Sequence, residues 1–230
     1  MKVPRLAAEC AQPDLPVTKN LRPAALLLLL AACAGNPDSP EAITAELRDM
    51  VAADQEVRGR MMEWIRAGKT PTLDSGVGAE MVALDQQHTL RLKEIVAKHG
   101  WPDAKRFSPE AAGAAWLIAQ HADHDRGFQS AVLDLMTPMV GSGGADSQNY
   151  ALLFDRVRVG EGRPQRYGTQ YLALPIDGRI HFGPSTPIED LGGLDTRRRV
   201  MGLPPHREYV ATVRKAMNVP EDAPPLPENR

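Results

Sequence analysis

Ser108-Pro109-Glu110-Ala111-Ala112-Gly113-Ala114-Ala115-Trp116-Leu117-Ile118-Ala119-Gln120-His121 decides the fold class. Serine before Pro-Glu is a helix start: the hydroxyl caps the first amides, proline fits the first turn, and glutamate faces the positive end of the helix dipole. An alanine-rich run with Trp116, Leu117 and Ile118 follows, which predicts a helix from Ala111 to about His121.

Upstream, Ser39-Pro40-Glu41 repeats the start signal. It predicts a helix over about 40–67, with Ile43, Leu47, Met50, Val51, Met61 and Ile65 on its apolar face and Gly68 and Pro71 as its stop. A second helix fits 78–99, where Met81, Leu84, Leu92, Ile95 and Val96 share a stripe and Gly100 closes the end.

Downstream, Phe128, Val132, Leu133 and Met136 continue the helical pattern, as a fourth helix or as the third continued past a kink at Asp123. Residues 147–158 read as helix. Gln170–Leu174 and Arg179–Phe182 flank Asp177-Gly178, a hairpin signal. Short helices over 193–201 and 205–217 close the domain, and the proline-rich end, 218–230, reads as disordered. The expected fold is therefore mainly α (α+β), a single helical domain over 40–217 with a small C-terminal antiparallel β-hairpin. No repeat or linker divides it.

The N-terminal part carries an address. Leu30-Ala31-Ala32-Cys33 closes a run of five leucines, with Lys19 and Arg22 just ahead of the run. A basic start, a short apolar core and a small-residue step onto cysteine form a bacterial lipoprotein signal, in which the Cys33 thiol is lipidated and 1–32 removed. A secretory cut after Ala34 is the nearest rival. The apolar run of about a dozen residues is short of the ~20 that span a bilayer. Residues 1–16 lack signal character, and Val17 opens a better basic start, so translation is expected to begin near Val17. Residues 33–39 then form a short tether. Ala34 after the cysteine favours the periplasmic face of the outer membrane, with the membrane reached through the lipid and an envelope polymer or protein as partner.

Charge and cysteine count narrow the chemistry. The chain has 27 basic and 29 acidic residues, a net of −2. Removing 1–32 takes more basic than acidic side chains, which argues against nucleic acid. Cys10 and Cys33 are the only cysteines; one is discarded and the other lipidated, so thiol catalysis, disulfides and thiolate metal sites are excluded. Gly-x-Ser-x-Gly is also absent.

Six patches in order resemble one bacterial family, the domain of unknown function 6624. They are Asp54-Gln55-x-x-Arg58, His99-Gly100-Trp101-Pro102, Ala115 to Asp123, Asp155-Arg156-Val157, Gly162 to Gln170, and Arg197-Arg198-Arg199-x-x-Gly202-Leu203. The resemblance covers about 43–215 and implies no established activity. His88 departs from the family pattern, where asparagine is commoner, which argues against His88 as a ligand.

The candidate site residues come from these patches. Gln120-His121-Ala122-Asp123-His124-Asp125 is the densest polar cluster. Continued as helix, it sets His121, His124 and Asp125 together as candidate ligands of a divalent metal; no cofactor is otherwise evident. Alternatively Asp123 caps the next helix and His121 is a core histidine, or His121 is a general base without metal. Asp54 and Arg58, one turn apart beside Gln55, form a surface ion pair or turn Asp54 inward to orient His121. Asp155 can accept from the Tyr167–Gln170 turn. Arg156, Gln165, Tyr167, Thr169 and Gln170 either read a polar ligand such as a sugar or peptide, or stitch the hairpin to the helices. The run Arg197-Arg198-Arg199 reads first as a solvated face, and an inward Arg198 or Arg199 near Asp155 would be a buried pair or an anion anchor that binds the ligand. Two functions remain: a polar-ligand or partner binding module, and an envelope hydrolase with His121 as base and Asp54, Asp155 or Asp123 behind it.

Overall fold

The computed structural model describes residues 36–67 and 76–227. Cys33, the signal segment and the Gly68–Pro71 helix stop lie outside the described residues.

Helix α1 spans Pro40–Arg66, with the Ser39 hydroxyl accepting from the Ala42 amide at 3.2 Å. Helix α2 spans Gly76–His99, and Gly100 takes the left-handed conformation that releases the chain. Helix α3 spans Pro109–His121, capped by Ser108, whose hydroxyl accepts from Ala111 at 3.0 Å. Both Ser-Pro-Glu signals therefore start helices at the places expected.

The pattern after His121 resolves into a separate helix, α4, over Arg126–Met136. Its cap is Asp125, which accepts from the Phe128 amide at 3.0 Å, so the cap expected at Asp123 falls two residues later. Helix α5 spans Ser147–Gly160, and Asp146 caps it. Strands β1, Tyr171–Ile176, and β2, Arg179–Pro184, pair antiparallel with Leu174 opposite His181. Asp177 and Gly178 both have positive φ, the conformation of the tight two-residue hairpin turn. Helices α6, Leu194–Val200, and α7, His206–Ala216, follow. The protein is mainly α with a C-terminal hairpin.

Helix α3 is central. Its alanines Ala111, Ala115 and Ala119 are fully buried, and such small side chains let neighbouring helices come close. Ile43, Leu47 and Met50 of α1, Leu92 and Ile95 of α2, Val132 and Met136 of α4 and Leu153 of α5 complete one cluster around it, with Trp101 buried in the α2–α3 connection. Ile65, expected in this core, is exposed, and Val57 is buried further back along α1. Among the described residues no helix is long and apolar enough to cross a membrane.

The C-terminal segment differs from expectation. The Phe182 amide donates to the Pro224 carbonyl at 2.9 Å, and His181 Nδ1 lies 2.8 Å from the Pro225 carbonyl. Arg214 holds the carbonyls of Pro220 and Glu221. The tail is thus placed along β2 up to residue 227 rather than disordered from 218. Proline lacks an N–H but keeps its carbonyl, so a proline-rich segment can accept from an edge strand without hydrophobic burial of its own.

Candidate functional site

Asp54 and Arg58 lie one turn apart on α1, facing the last residue of α3. Asp54 is only 2% exposed. Its Oδ1 accepts from Arg58 Nε at 3.0 Å and faces His121 Nδ1 at 2.9 Å, while Oδ2 accepts from Gln55 Nε2 at 2.7 Å. Arg58 reaches on to α2: its Nη2 donates to Asp85 Oδ1 at 2.6 Å and its Nη1 meets Met81 Sδ at 3.3 Å. One guanidinium therefore ties together three helices.

His121 Nδ1 lies between the Asp54 Oδ1 carboxylate oxygen at 2.9 Å and Arg58 Nε at 3.1 Å, so it either donates to the carboxylate or accepts from the guanidinium. Either way the ring is held through Nδ1, and among the described residues Nε2 takes no hydrogen bond. His121 lines a cavity of about 420 Å³ with Arg58, Met81, Val82, Asp85, Asp123, His124 and Arg156. On the far wall Arg156 forks onto Asp123: Nε donates to Oδ1 at 2.8 Å and Nη2 holds Oδ2. Arg156 Nη1 reaches Gln170 Oε1 at 3.3 Å.

The electrostatics follow from these partners. Burial works to raise the Asp54 carboxyl, but His121, Arg58 and Gln55 together outweigh it and hold the group below its ordinary value. Asp85 goes the other way: burial raises it, and Arg58 offsets this only in part. Asp123, also pushed up by burial, is held low by Arg156, Gln129 and Arg126.

Of the residues singled out in the sequence, Arg58, His121, Asp123, His124 and Arg156 line this cavity, with Asp54, bonded to Gln55, behind His121 and with Gln170 behind Arg156. Gln120 is buried, and its Oε1 has no hydrogen-bond partner among the described residues. Asp155, Gln165, Tyr167, Thr169 and Arg198 form a second cluster. Asp155 is fully buried: it accepts from the amides of Arg166, Tyr167 and Thr169 and from the Thr169 hydroxyl at 2.7 to 3.1 Å. Burial pushes its carboxyl up, against the pull of those donors. Gln165 bonds the backbone of Gln170 and Thr186. Arg198 turns inward rather than to solvent, onto the carbonyls of Tyr167, Gly168 and Pro204 and the ring of Tyr209 and not onto Asp155. Asp155, Gln165, Tyr167, Thr169 and Arg198 are thus joined as stitching, and the expected role of Asp155 beside His121 is corrected: every one of its acceptor positions faces its own turn.

The expected metal set is corrected too. Helix α3 ends at His121, and Asp125 serves as the α4 cap and pairs with Lys93 Nζ at 2.8 Å, so the helical spacing that would join it to His121 is not realised. The group whose ligand atoms do come together is Asp54, Asp85 and His121, all within 4.8 Å. Two carboxylates and an imidazole suit a divalent ion chemically. Arg58, however, already holds both carboxylates, so the place of the cation is taken by a guanidinium and the donor set fits a metal poorly. Asp85 was not singled out in the sequence. The signal was available: it sits at helical spacing from Met81 and His88 on the inward side of α2, where a charged residue is out of place. His88 itself is buried, and burial lowers its pKa.

The profile of a family of unknown function, DUF6624, matches residues 41–220. The chain belongs to this family. The match spans both polar clusters of the DUF6624 domain, from Asp54 to Arg198. Comparison with curated proteins and with solved structures finds no match.

Proposed function

We propose that this chain is a lipid-anchored cell-envelope protein that binds a polar ligand in the His121 cavity. The observation that carries the reading is the Asp54–His121 pair at 2.9 Å, which fixes the ring through Nδ1 and leaves Nε2, without a partner among the described residues, on a residue that lines the cavity. The Leu30-Ala31-Ala32-Cys33 step supports the anchor. Asp54 orients the ring, Arg58 holds Asp54, and Arg156 supplies donors opposite. The reading predicts that the full chain, purified from membranes, carries a ligand of discrete mass in native mass spectrometry and that His121→Ala loses it. A wild-type chain without such an adduct would sink the binding reading. For the anchor, Cys33→Ala is expected to move the protein from the membrane to the soluble fraction.

A second reading has one observation in its favour: an imidazole oriented by a buried carboxylate is also the arrangement of a general base. In that case His121 activates a water against the bound ligand, without a covalent intermediate. Turnover of the adduct over time, lost in both His121→Ala and Asp54→Asn, separates hydrolysis from simple binding.

A further inference from the structure

The ligand class follows from how the charges around the cavity are spent, and it rests on the binding reading above. Arg58 is shared between Asp54 and Asp85, and Arg156 is forked onto Asp123. Each positive charge is therefore answered by a carboxylate before any ligand arrives. An incoming phosphate or carboxylate would find no uncompensated cation and would face the Asp85 and Asp123 carboxylates at close range.

Hydrogen-bonding capacity, by contrast, is left over in both senses. The second oxygen of Asp85 is an acceptor, His121 Nε2 is an acceptor or a donor according to the ring tautomer, and neither takes a bond among the described residues. A guanidinium has five N–H groups. Arg58 and Arg156 each commit three nitrogens to the partners above, and each of their terminal nitrogens carries a second hydrogen. Free acceptors thus sit beside free donors on paired, neutralised side chains. A hydroxyl group both donates and accepts at one atom, and adjacent hydroxyls do so at neighbouring points.

We infer that the His121 cavity takes a neutral, polyhydroxylated ligand of the saccharide class, with one hydroxyl hydrogen-bonded to His121 Nε2 and accepting from an arginine. The side chains that read it are His121, Asp85 and Arg156, and Asp54 positions the imidazole.

The experiment is ¹⁵N NMR of the His121 ring in the full chain, titrated separately with three neutral disaccharides (cellobiose, maltose and diacetylchitobiose), with inorganic phosphate and with a neutral blocked dipeptide. At least one disaccharide is expected to move Nε2 in a saturable way while phosphate does not. The loss of one hydrogen bond to a charged group in Asp85→Asn is expected to weaken that binding about tenfold or more. The wild-type titration stands without the variant should Asp85→Asn fail to fold. Stronger binding of phosphate or of the dipeptide than of every disaccharide would overturn the saccharide class while leaving the binding reading intact. If none of the probes moves Nε2, the saccharide class is overturned, and the native-mass adduct then decides the binding reading independently.

Discussion

Two polar clusters in one domain are built from the same residue types and end differently. Around Asp155, a fully buried carboxylate meets three backbone amides and a hydroxyl, and Arg198 beyond it meets three carbonyls. Around Asp54, an almost equally buried carboxylate meets a guanidinium, an amide side chain and an imidazole whose other nitrogen opens on a cavity. The first cluster closes on main chain, which cannot move without unfolding the turn. The second closes on side chains and stops one atom short. Buried polar groups that are all satisfied specify structure, whereas a fixed and unspent polar atom on a concave wall is what a ligand needs.

The contrast can be broken by substitution. Asp155→Ala strands three amides and a hydroxyl in the interior, and each unsatisfied group costs about 1–3 kcal/mol. A loss of at least about 3 kcal/mol is expected, or roughly 10 °C in Tm at this chain length. A calorimetric shift of only a degree or two would mean that the turn does not depend on its carboxylate.

Asp54→Ala comes next. It frees Arg58 to pair with Asp85 alone and leaves His121 without its orienting partner. About 1–3 kcal/mol is expected from urea unfolding, with both ring tautomers of His121 then visible by NMR.

Acid pH sharpens the comparison by sign. The Asp54 carboxyl is held below its ordinary value in the folded protein, so its contribution is full above the unfolded value near 3.8 and is lost as pH falls through the folded value. Asp85 and Asp155 are raised, so their ionisation opposes folding as pH climbs from the unfolded value near 3.8 through their folded values, on the other side of the Asp54 window. Asp54→Asn should therefore flatten the fall in urea midpoint below about pH 4. An unchanged acid limb would show that Asp54 is not held low.

The smallest effect on stability is expected from His121→Ala. The ring is at the end of its helix and one nitrogen is free, so less than about 1 kcal/mol should be lost while the ligand adduct disappears. A destabilisation as large as that of Asp155→Ala would place His121 in the structural cluster instead.

Local signals carried most of the fold. Ser39 and Ser108 start their helices, and Asp177-Gly178 turns the hairpin, because capping and positive φ act over three or four residues. Asp54, Arg58 and His121 were legible for a similar reason, being polar residues at one-turn spacing or in a dense patch. Asp85 was not, since its role depends on an arginine 27 residues earlier in another helix. The helical spacing that would join His124 and Asp125 to His121 as ligands is not realised because the chain leaves the helix at Ala122, and Asp125 turns to its own backbone. Asp155 was legible as an acceptor for the Tyr167–Gln170 turn, whereas the direction of Arg198 is decided by main-chain carbonyls of that turn, which no side-chain pattern announces.

The tail laid along β2 has a consequence for how the molecule avoids its own copies. An uncovered strand edge is a template on which another chain can grow. Here the Phe182 amide is already occupied by the Pro224 carbonyl, and the covering segment is itself rich in proline at 220, 224, 225 and 227. A proline strand can accept from the edge beneath it but has no N–H to offer the next layer. The segment therefore works as a terminator, and a protease cut near Asp222 would convert a finished hairpin into a growth point for intermolecular sheet.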